Sequence, residues 1–212
     1  MIRNVIWDFD GTLFNSYPFM TGALKQALEM NGCTESVDAL IEKFMINERV
    51  AIEFFAEKHS IDVQKLRADY FDCSAKGDLS VIKPFPGAKE ALQGVIASGG
   101  RNYILTHRNG TANTIVEING MSHFFTEIVT ADNGFKRKPD PESIFYLMDK
   151  YSMRPDETMI VGDRELEVEL GRNAKVVSCF FNNGDARCTS VPDYTINALN
   201  DGGFMSIVNE RR

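Results

Sequence analysis

The chain has one tryptophan and three histidines in 212 residues, and its four cysteines are scattered. Cys33, Cys73, Cys179 and Cys188 form no pair at metal-ligand spacing, and His59, His107 and His123 form no HExxH-type cluster. A zinc site is therefore not expected, and the cysteines read as reduced thiols packed as small apolar groups. Basic residues are in deficit, 23 against 30 acidic ones, for a formal net charge of -7. Unspecific binding to nucleic acid or to an anionic membrane needs basic surface, so neither partner is expected. A pocket for a phosphorylated small molecule is not excluded, because local charge decides that. No apolar run approaches the roughly 18 to 20 residues that span a bilayer. The first apolar stretch is short and is interrupted by Asp8 and Asp10, so no signal peptide is expected and the protein reads as cytoplasmic. Repeats and low-complexity tracts are missing too, and a monomer is the working expectation.

What is present suits one soluble domain, or one domain with an insertion: 43% of residues are hydrophobic and 25% charged. Five short apolar or β-branched runs stand out, at residues 4–9, 102–106, 127–130, 158–162 and 175–181. Runs without alternation suit strands buried on both faces, as in a parallel sheet. Helical spacing fills residues 88–97, 111–118, 142–151 and 166–173, and the tail from Asp193 onward has room for a last strand and helix. Strands alternating with helices imply right-handed βαβ units. The expected fold is α/β, a doubly wound, Rossmann-like parallel sheet.

One connection breaks that rhythm. From about Asn15 to Val81 the text is amphipathic and helical only, with stripes at Phe19, Ala23, Ala27 and Met30, at Leu40, Ile41 and Phe44, at Ile52, Phe55 and Ala56, and at Val63, Leu66 and Tyr70. Boundary signals fall at Asn31-Gly32, His59-Ser60 and Lys76-Gly77. A crossover this long predicts an inserted four-helix cap domain over residues 15–82, with the α/β core formed by 1–14 and 83–212. Residues 83–87, Lys-Pro-Phe-Pro-Gly, read as a stiff return linker.

Polar residues end several of the predicted strands. Asp8 and Asp10 close the first, Thr106 the second and Asp163 the fourth. Ligands of open α/β sheets bind outside the carboxyl ends of the strands. Asp8 alone would read equally well as a turn cap; it is the set that points to a site. Carboxylates converging within about 4 Å repel by several kcal/mol at an effective dielectric near 20. They call for a hard cation, and oxygen ligands at an open site favour Mg²⁺, whose usual task is to hold phosphate oxygens. A carboxylate can also be a nucleophile toward phosphorus. Lys138, just before a proline-started helix, could neutralise nucleophile and phosphoryl group alike, although taken singly it reads as an exposed loop lysine.

With these residues in place, Asp8-Phe9-Asp10-Gly11-Thr12, Thr106, Lys138-Pro139-Asp140-Pro141 and Val161-Gly162-Asp163 resemble the four motifs of the haloacid dehalogenase-like hydrolase superfamily. The long insertion resembles the helical cap of its phosphoglycolate phosphatase and β-phosphoglucomutase branch, and the match covers essentially the whole chain. The resemblance implies that Asp8 is the nucleophile and a Mg²⁺ ligand. It implies that Asp10 protonates the leaving oxygen, later activates water, and lends its backbone carbonyl to the metal. Thr106 and the amide of His107 would bind phosphoryl oxygens, Lys138 would balance charge, and Asp163 would complete the metal site. The pattern departs in three places. Glu167 stands where the fourth motif usually has a second aspartate, Asn15 replaces a common aspartate, and Arg137 stands where a glycine often precedes the lysine. Glu167 is expected to assist the metal from the second shell of contacts.

The function expected is Mg²⁺-dependent hydrolysis of a small phosphorylated metabolite through an aspartyl phosphate. A phosphosugar mutase on the same scaffold shares every motif and stays open. A receiver-type phospho-acceptor is more distant, because it has no use for so long an insertion, and an idle binding protein of the same fold is suggested only by Glu167. The cap reads as a lid hinged at residues 14–17 and 83–87, expelling water on closure. Residues 47–49 read as a loop between cap helices that faces the pocket, where Arg49 would hold the leaving group.

Overall fold

The structure is a computed structural model and describes residues 1–184, 188–200 and 202–210. The chain begins with β1 (Asn4–Trp7) and β2 (Phe14–Asn15), followed by four helices, α1 (Tyr17–Met30), α2 (Val37–Phe44), α3 (Glu48–Lys58) and α4 (Val63–Lys76). Then come β3 (Lys83–Pro84), α5 (Ala88–Ala97), β4 (Arg101–Leu105), α6 (Thr111–Ile118), β5 (Phe125–Val129) and α7 (Glu142–Tyr151). The last elements are β6 (Thr158–Gly162), α8 (Glu165–Ala174), β7 (Val177–Phe181), β8 (Tyr194–Ile196) and α9 (Gly203–Asn209). Two compact units result, Met1–Asn15 with Lys83–Arg212, and Ser16–Ile82.

In the first unit, six strands of the described residues form one sheet in the order β5-β4-β1-β6-β7-β8, every pair parallel. All four residues of β1 are buried, which is why its text is apolar without alternation. Successive side chains point to opposite faces. Ile6 joins a cluster with Ile144 and Leu147 of α7 and Leu170 of α8, while the Trp7 ring lies 5.0 Å from that of Phe204 in α9. Both faces are thus covered, and the sheet is doubly wound. Trp7 keeps its polar edge satisfied by donating Nε1–H to Asn102 Oδ1 at 2.9 Å.

Strand limits differ from the sequence reading by a residue or two, for local reasons. The first strand stops at Trp7, before Phe9, because the chain turns at Gly11, whose φ of 85° suits glycine alone. The run at 175–181 starts as strand only at Val177, since Lys175 sits at φ 57° as the cap ending α8. The stretch 83–87 is not all linker: Asn15 pairs with Lys83 and Phe14 with Pro84 in a two-stranded antiparallel ribbon.

In the second unit, α1 to α4 share a core that includes Leu24, Leu28, Phe44, Phe55, Leu66 and Tyr70. Three of the helices start on side-chain caps. Ser36, Asn47 and Asp62 accept hydrogen bonds from the backbone N–H of Ala39, Val50 and Lys65 at 3.2, 2.8 and 2.9 Å. The ends fall where the sequence signalled them, at Asn31, His59 and Gly77. Gly77 is a packing requirement, because a Cβ there would lie 2.5 Å from the Phe19 ring. Residues 47–49 are not the loop expected from the sequence. Asn47 caps α3, so Glu48 and Arg49 lie in its first turn, and the exposed Arg49 guanidinium stands 4.0 Å from Glu53.

Candidate active site

Because β1 lies between β4 and β6, the residues that follow these three strands, Asp8, Thr106 and Asp163, leave the sheet at one edge as neighbours. Asp8 continues the ladder by one bond, its N–H donating to Val161 O at 2.8 Å, and Thr106 does likewise toward Val129 O at 3.0 Å. Beyond Asp8 the chain makes a tight loop in which Gly11 N–H donates to Phe14 O at 2.9 Å and Phe14 N–H to Phe9 O at 2.9 Å. That loop delivers Thr12, whose hydroxyl donates to Asp163 Oδ1 at 2.9 Å, and Asn183 steadies it from the far side by donating to Gly11 O at 2.9 Å.

Asp8, Asp163 and Glu167 are all buried, and one carboxylate oxygen of each lies within 4.8 Å of the others. Lys138, equally buried, answers part of this charge: its ammonium donates to Asp8 Oδ1, to Glu167 Oε1 at 2.7 Å and to Leu105 O at 3.2 Å. Asp8 Oδ2 and Glu167 Oε2 are buried and accept no hydrogen bond. Glu167 reaches the lysine from the first turn of α8 by passing over Gly162, where a Cβ would lie 2.2 Å from its Cγ. The glycine before Asp163 is therefore a requirement of the side chain at 167, whose Cβ and Cγ it faces.

The electrostatics follow from burial and proximity. Burial pushes the Asp8 carboxyl up to about 6, with Glu167 adding to the rise and Lys138 opposing it. Burial likewise pushes Asp163 up to about 7, helped by Asp8 and Glu167 and opposed by Arg164. Glu167 goes the other way. Burial raises it, but Lys138 and Arg164 more than compensate and hold it below the usual glutamate range. Burial lowers the Lys138 pKa, yet Asp8 and Glu167 raise it further, so the ammonium stays charged. His107 is depressed to about 3 by burial and by Lys138, so its ring is neutral. Its Nε2 accepts the backbone N–H of Lys138 at 2.8 Å, which ties the loop after β4 to the loop before α7.

These groups suit a small divalent cation. The donor set is three carboxylates, all hard oxygen donors, and two buried oxygens without hydrogen bonds are what such an ion would satisfy. The side chain of Asp10 is not in this cluster. Arg108 holds its carboxylate through Nε at 3.0 Å and Nη2 at 2.6 Å, a two-pronged grip in keeping with carboxylate geometry. Of the other residues singled out in the sequence, Thr106 is buried and its Oγ accepts the Arg108 backbone N–H at 3.0 Å, and Arg49 belongs to the helical unit.

Two arginines were missed. Arg108 follows Thr106 by two positions, and Arg164, directly after Asp163, brings Nη2 to 3.6 Å from Glu167 Oε1 and 4.0 Å from Asp8 Oδ2. The only signal available was adjacency to a motif residue at a strand end.

Known proteins resemble this chain over most of its length. The family described as haloacid dehalogenase-like hydrolase matches residues 5–181. The chain is 24% identical over 208 residues to the phosphoglycolate phosphatase of Aquifex aeolicus, with 94% of each chain covered. Among solved structures, a hydrolase from Streptococcus pneumoniae TIGR4 is 31% identical, with 85% of this chain and 93% of that one covered and a TM-score of 0.65. A HAD-superfamily hydrolase of subfamily IA from Geobacter sulfurreducens shares the fold at a TM-score of 0.76 and 18% identity, with 98% and 96% covered.

Proposed function

The chain belongs to the haloacid dehalogenase-like hydrolase family, and we propose that within it the protein is a Mg²⁺-dependent phosphatase acting on a small phosphorylated metabolite. The observation that carries this reading is the pairing of buried Asp8 with Lys138, in which Oδ1 is held by the ammonium and Oδ2 accepts no hydrogen bond. Asp8 attacks the phosphorus, and the bond to the leaving alcohol oxygen breaks as Asp10, once it has taken up a proton in place of its contact with Arg108, gives that oxygen the proton. Water then attacks the aspartyl phosphate, Asp10 takes its proton, and orthophosphate leaves with Asp8 regenerated. Thr106 and the His107 amide are the proposed contacts to phosphoryl oxygens, and Lys138 offsets the charge that develops on them. Asp8, Asp163 and the backbone carbonyl of Asp10 would hold Mg²⁺, with Glu167 beside them. When bound, the ion supplies a positive charge against which phosphoryl oxygens are oriented.

Relatives named phosphoglycolate phosphatases support the reaction class. At this identity they leave the leaving group open, because specificity rests on residues that differ between such chains.

Purified protein incubated with a panel of small phosphate monoesters and MgCl₂ should release orthophosphate, stop when EDTA is added, and recover with excess Mg²⁺. Full activity after metal removal would overturn the metal reading, and isomerised sugar phosphate without phosphate release would point to a mutase. Asp8→Asn should lower kcat by on the order of 10⁴. Near-normal turnover of that variant would rule out the covalent step.

A further inference from the structure

A recess of about 130 Å³ is lined by residues at the ends of β4 and β5 and by the segment that leads into α7, and none of the candidate cation ligands lines it. Its volume is about ten times the roughly 10 to 15 Å³ that one water needs, so a molecule of several heavy atoms fits. Leu105, Val129 and Phe135 give it apolar walls. Ser143 lines it too, and the Ser143 hydroxyl is buried with no hydrogen-bond partner. A buried hydroxyl left unpaired costs free energy, which a ligand accepting its proton would recover. Three basic residues line the recess and no acidic one does. Lys136 is matched by Asp140 at 3.6 Å, and Lys138 is held between Asp8 and Glu167. The His107 ring is neutral and adds no charge. Arg137 is exposed, and its side chain makes no ion pair or hydrogen bond with the described residues. The reaction described above gives it no task. The recess is thus left with one unmatched positive charge, one unpaired hydroxyl and apolar walls. A single charge suits a monoanion, and the walls suit a short carbon tail; a doubly charged, wholly polar oxyanion fits neither.

We propose that this recess binds a small monocarboxylate, its carboxylate held by the Arg137 guanidinium and the Ser143 hydroxyl and its apolar tail set against Leu105, Val129 and Phe135. A guanidinium presents paired N–H groups in the plane of a carboxylate, which is why arginine serves such a ligand better than lysine. The site lies outside the carboxylate cluster, and it depends on neither the metal reading nor the phosphatase reading. It shares the Lys138 segment with that cluster, so a ligand here sits against the loop that carries the buried ammonium.

The test uses the full chain, isotope-labelled, stripped of metal with EDTA and free of substrate. Sodium butyrate is titrated in at constant ionic strength, with sodium chloride as the control, and backbone amide NMR signals are followed. The amides of Ser143, Val129 and Phe135 should move and saturate with butyrate and stay still with chloride. Arg137→Gln should weaken butyrate binding about 10-fold or more, and Ser143→Ala about 10-fold, the size of a hydrogen bond to a charged group. Both variants should fold, because the Arg137 side chain and the Ser143 hydroxyl make no hydrogen bond that the fold would lose. Amides that do not move, or that move equally with chloride, overturn the proposal. Unchanged butyrate binding in both variants overturns it as well, since the ligand would then sit elsewhere. Sodium phosphate that binds at these amides more tightly than butyrate would overturn the monocarboxylate class. Phosphate release is assayed separately with Mg²⁺, and its absence would overturn the phosphatase reading alone.

Discussion

Glu167 shows how one buried acid depends on a residue five positions before it. Its Cβ and Cγ lie over Gly162, and its carboxylate meets Lys138 at 2.7 Å, on the ammonium that Asp8 also contacts. The lysine is fully buried, so its charge is tolerable only because two carboxylates share it. Glu167→Ala removes one of them. The expected result is a loss of about 3 kcal/mol in urea unfolding, at the low end for breaking a buried ion pair because Asp8 remains. The same variant should weaken Mg²⁺ binding about 10- to 100-fold by calorimetry. Unchanged values on both counts would return Glu167 to an ordinary helix acid. Glycine 162 belongs to the same argument. The sequence shows it only as part of a motif, whereas its physical reason, the path of a side chain five residues later, exists only in the folded chain.

Among the elements, β1 and α8 carry most of the site. β1 is central because two parallel neighbours bury it on both edges, and this makes its carboxyl end the place where three strand ends meet. α8 begins with Glu165 and Glu167 in its first turn, where the helix dipole favours acids. In the helical unit, α3 depends on Asn47, whose side chain accepts the Val50 N–H at 2.8 Å. Asn47→Ala should cost about 1 kcal/mol of stability, read by chemical denaturation, while Asn47→Asp should cost little because aspartate caps as well. Equal losses in both variants would show that the cap bond is not what Asn47 contributes. The α1–α4 stripes were legible in the sequence because a helix repeats its apolar face every three to four residues. The start of α3 was missed because a cap is one residue wide and leaves no period.

For the molecule as a whole, the unusual carboxyl groups link stability to pH and metal together. Asp8 and Asp163 are pushed up to about 6 and 7, above the ordinary 3.8 they would have in the unfolded chain. Between those limits the metal-free fold holds protons that the unfolded chain has lost, so ionising these groups costs stability as pH rises toward 7. His107, depressed to about 3, works in the opposite sense below its ordinary value near 6.5, because the unfolded chain takes up a proton there and the fold does not. The metal-induced change in Tm isolates the first effect, since a divalent ion binds ionised carboxylates and His107 is neutral with or without it. The rise in Tm produced by Mg²⁺ should be small near about pH 5, grow through about pH 6 to 7, and level off above about pH 8. A rise of constant size across that range would separate the metal from Asp8 and Asp163. No helix among the described residues is long and apolar enough to cross a membrane.

Local text determined the element types and their order. Buried strands and amphipathic helices have short periods, and α5, α6 and α7 begin and end where those periods do. It also determined which residue types stand at strand ends, and so which chemistry is available there. The folded chain alone decided which of those residues meet. Lys138 donates a hydrogen bond to Glu167, 29 positions away, and Arg108 reaches Asp10 across 98 positions. Periodicity is a property of neighbours along the chain. The charge state and partner of a buried carboxylate are instead a sum over groups brought from several strands, and that sum has no value until the sheet has placed them side by side.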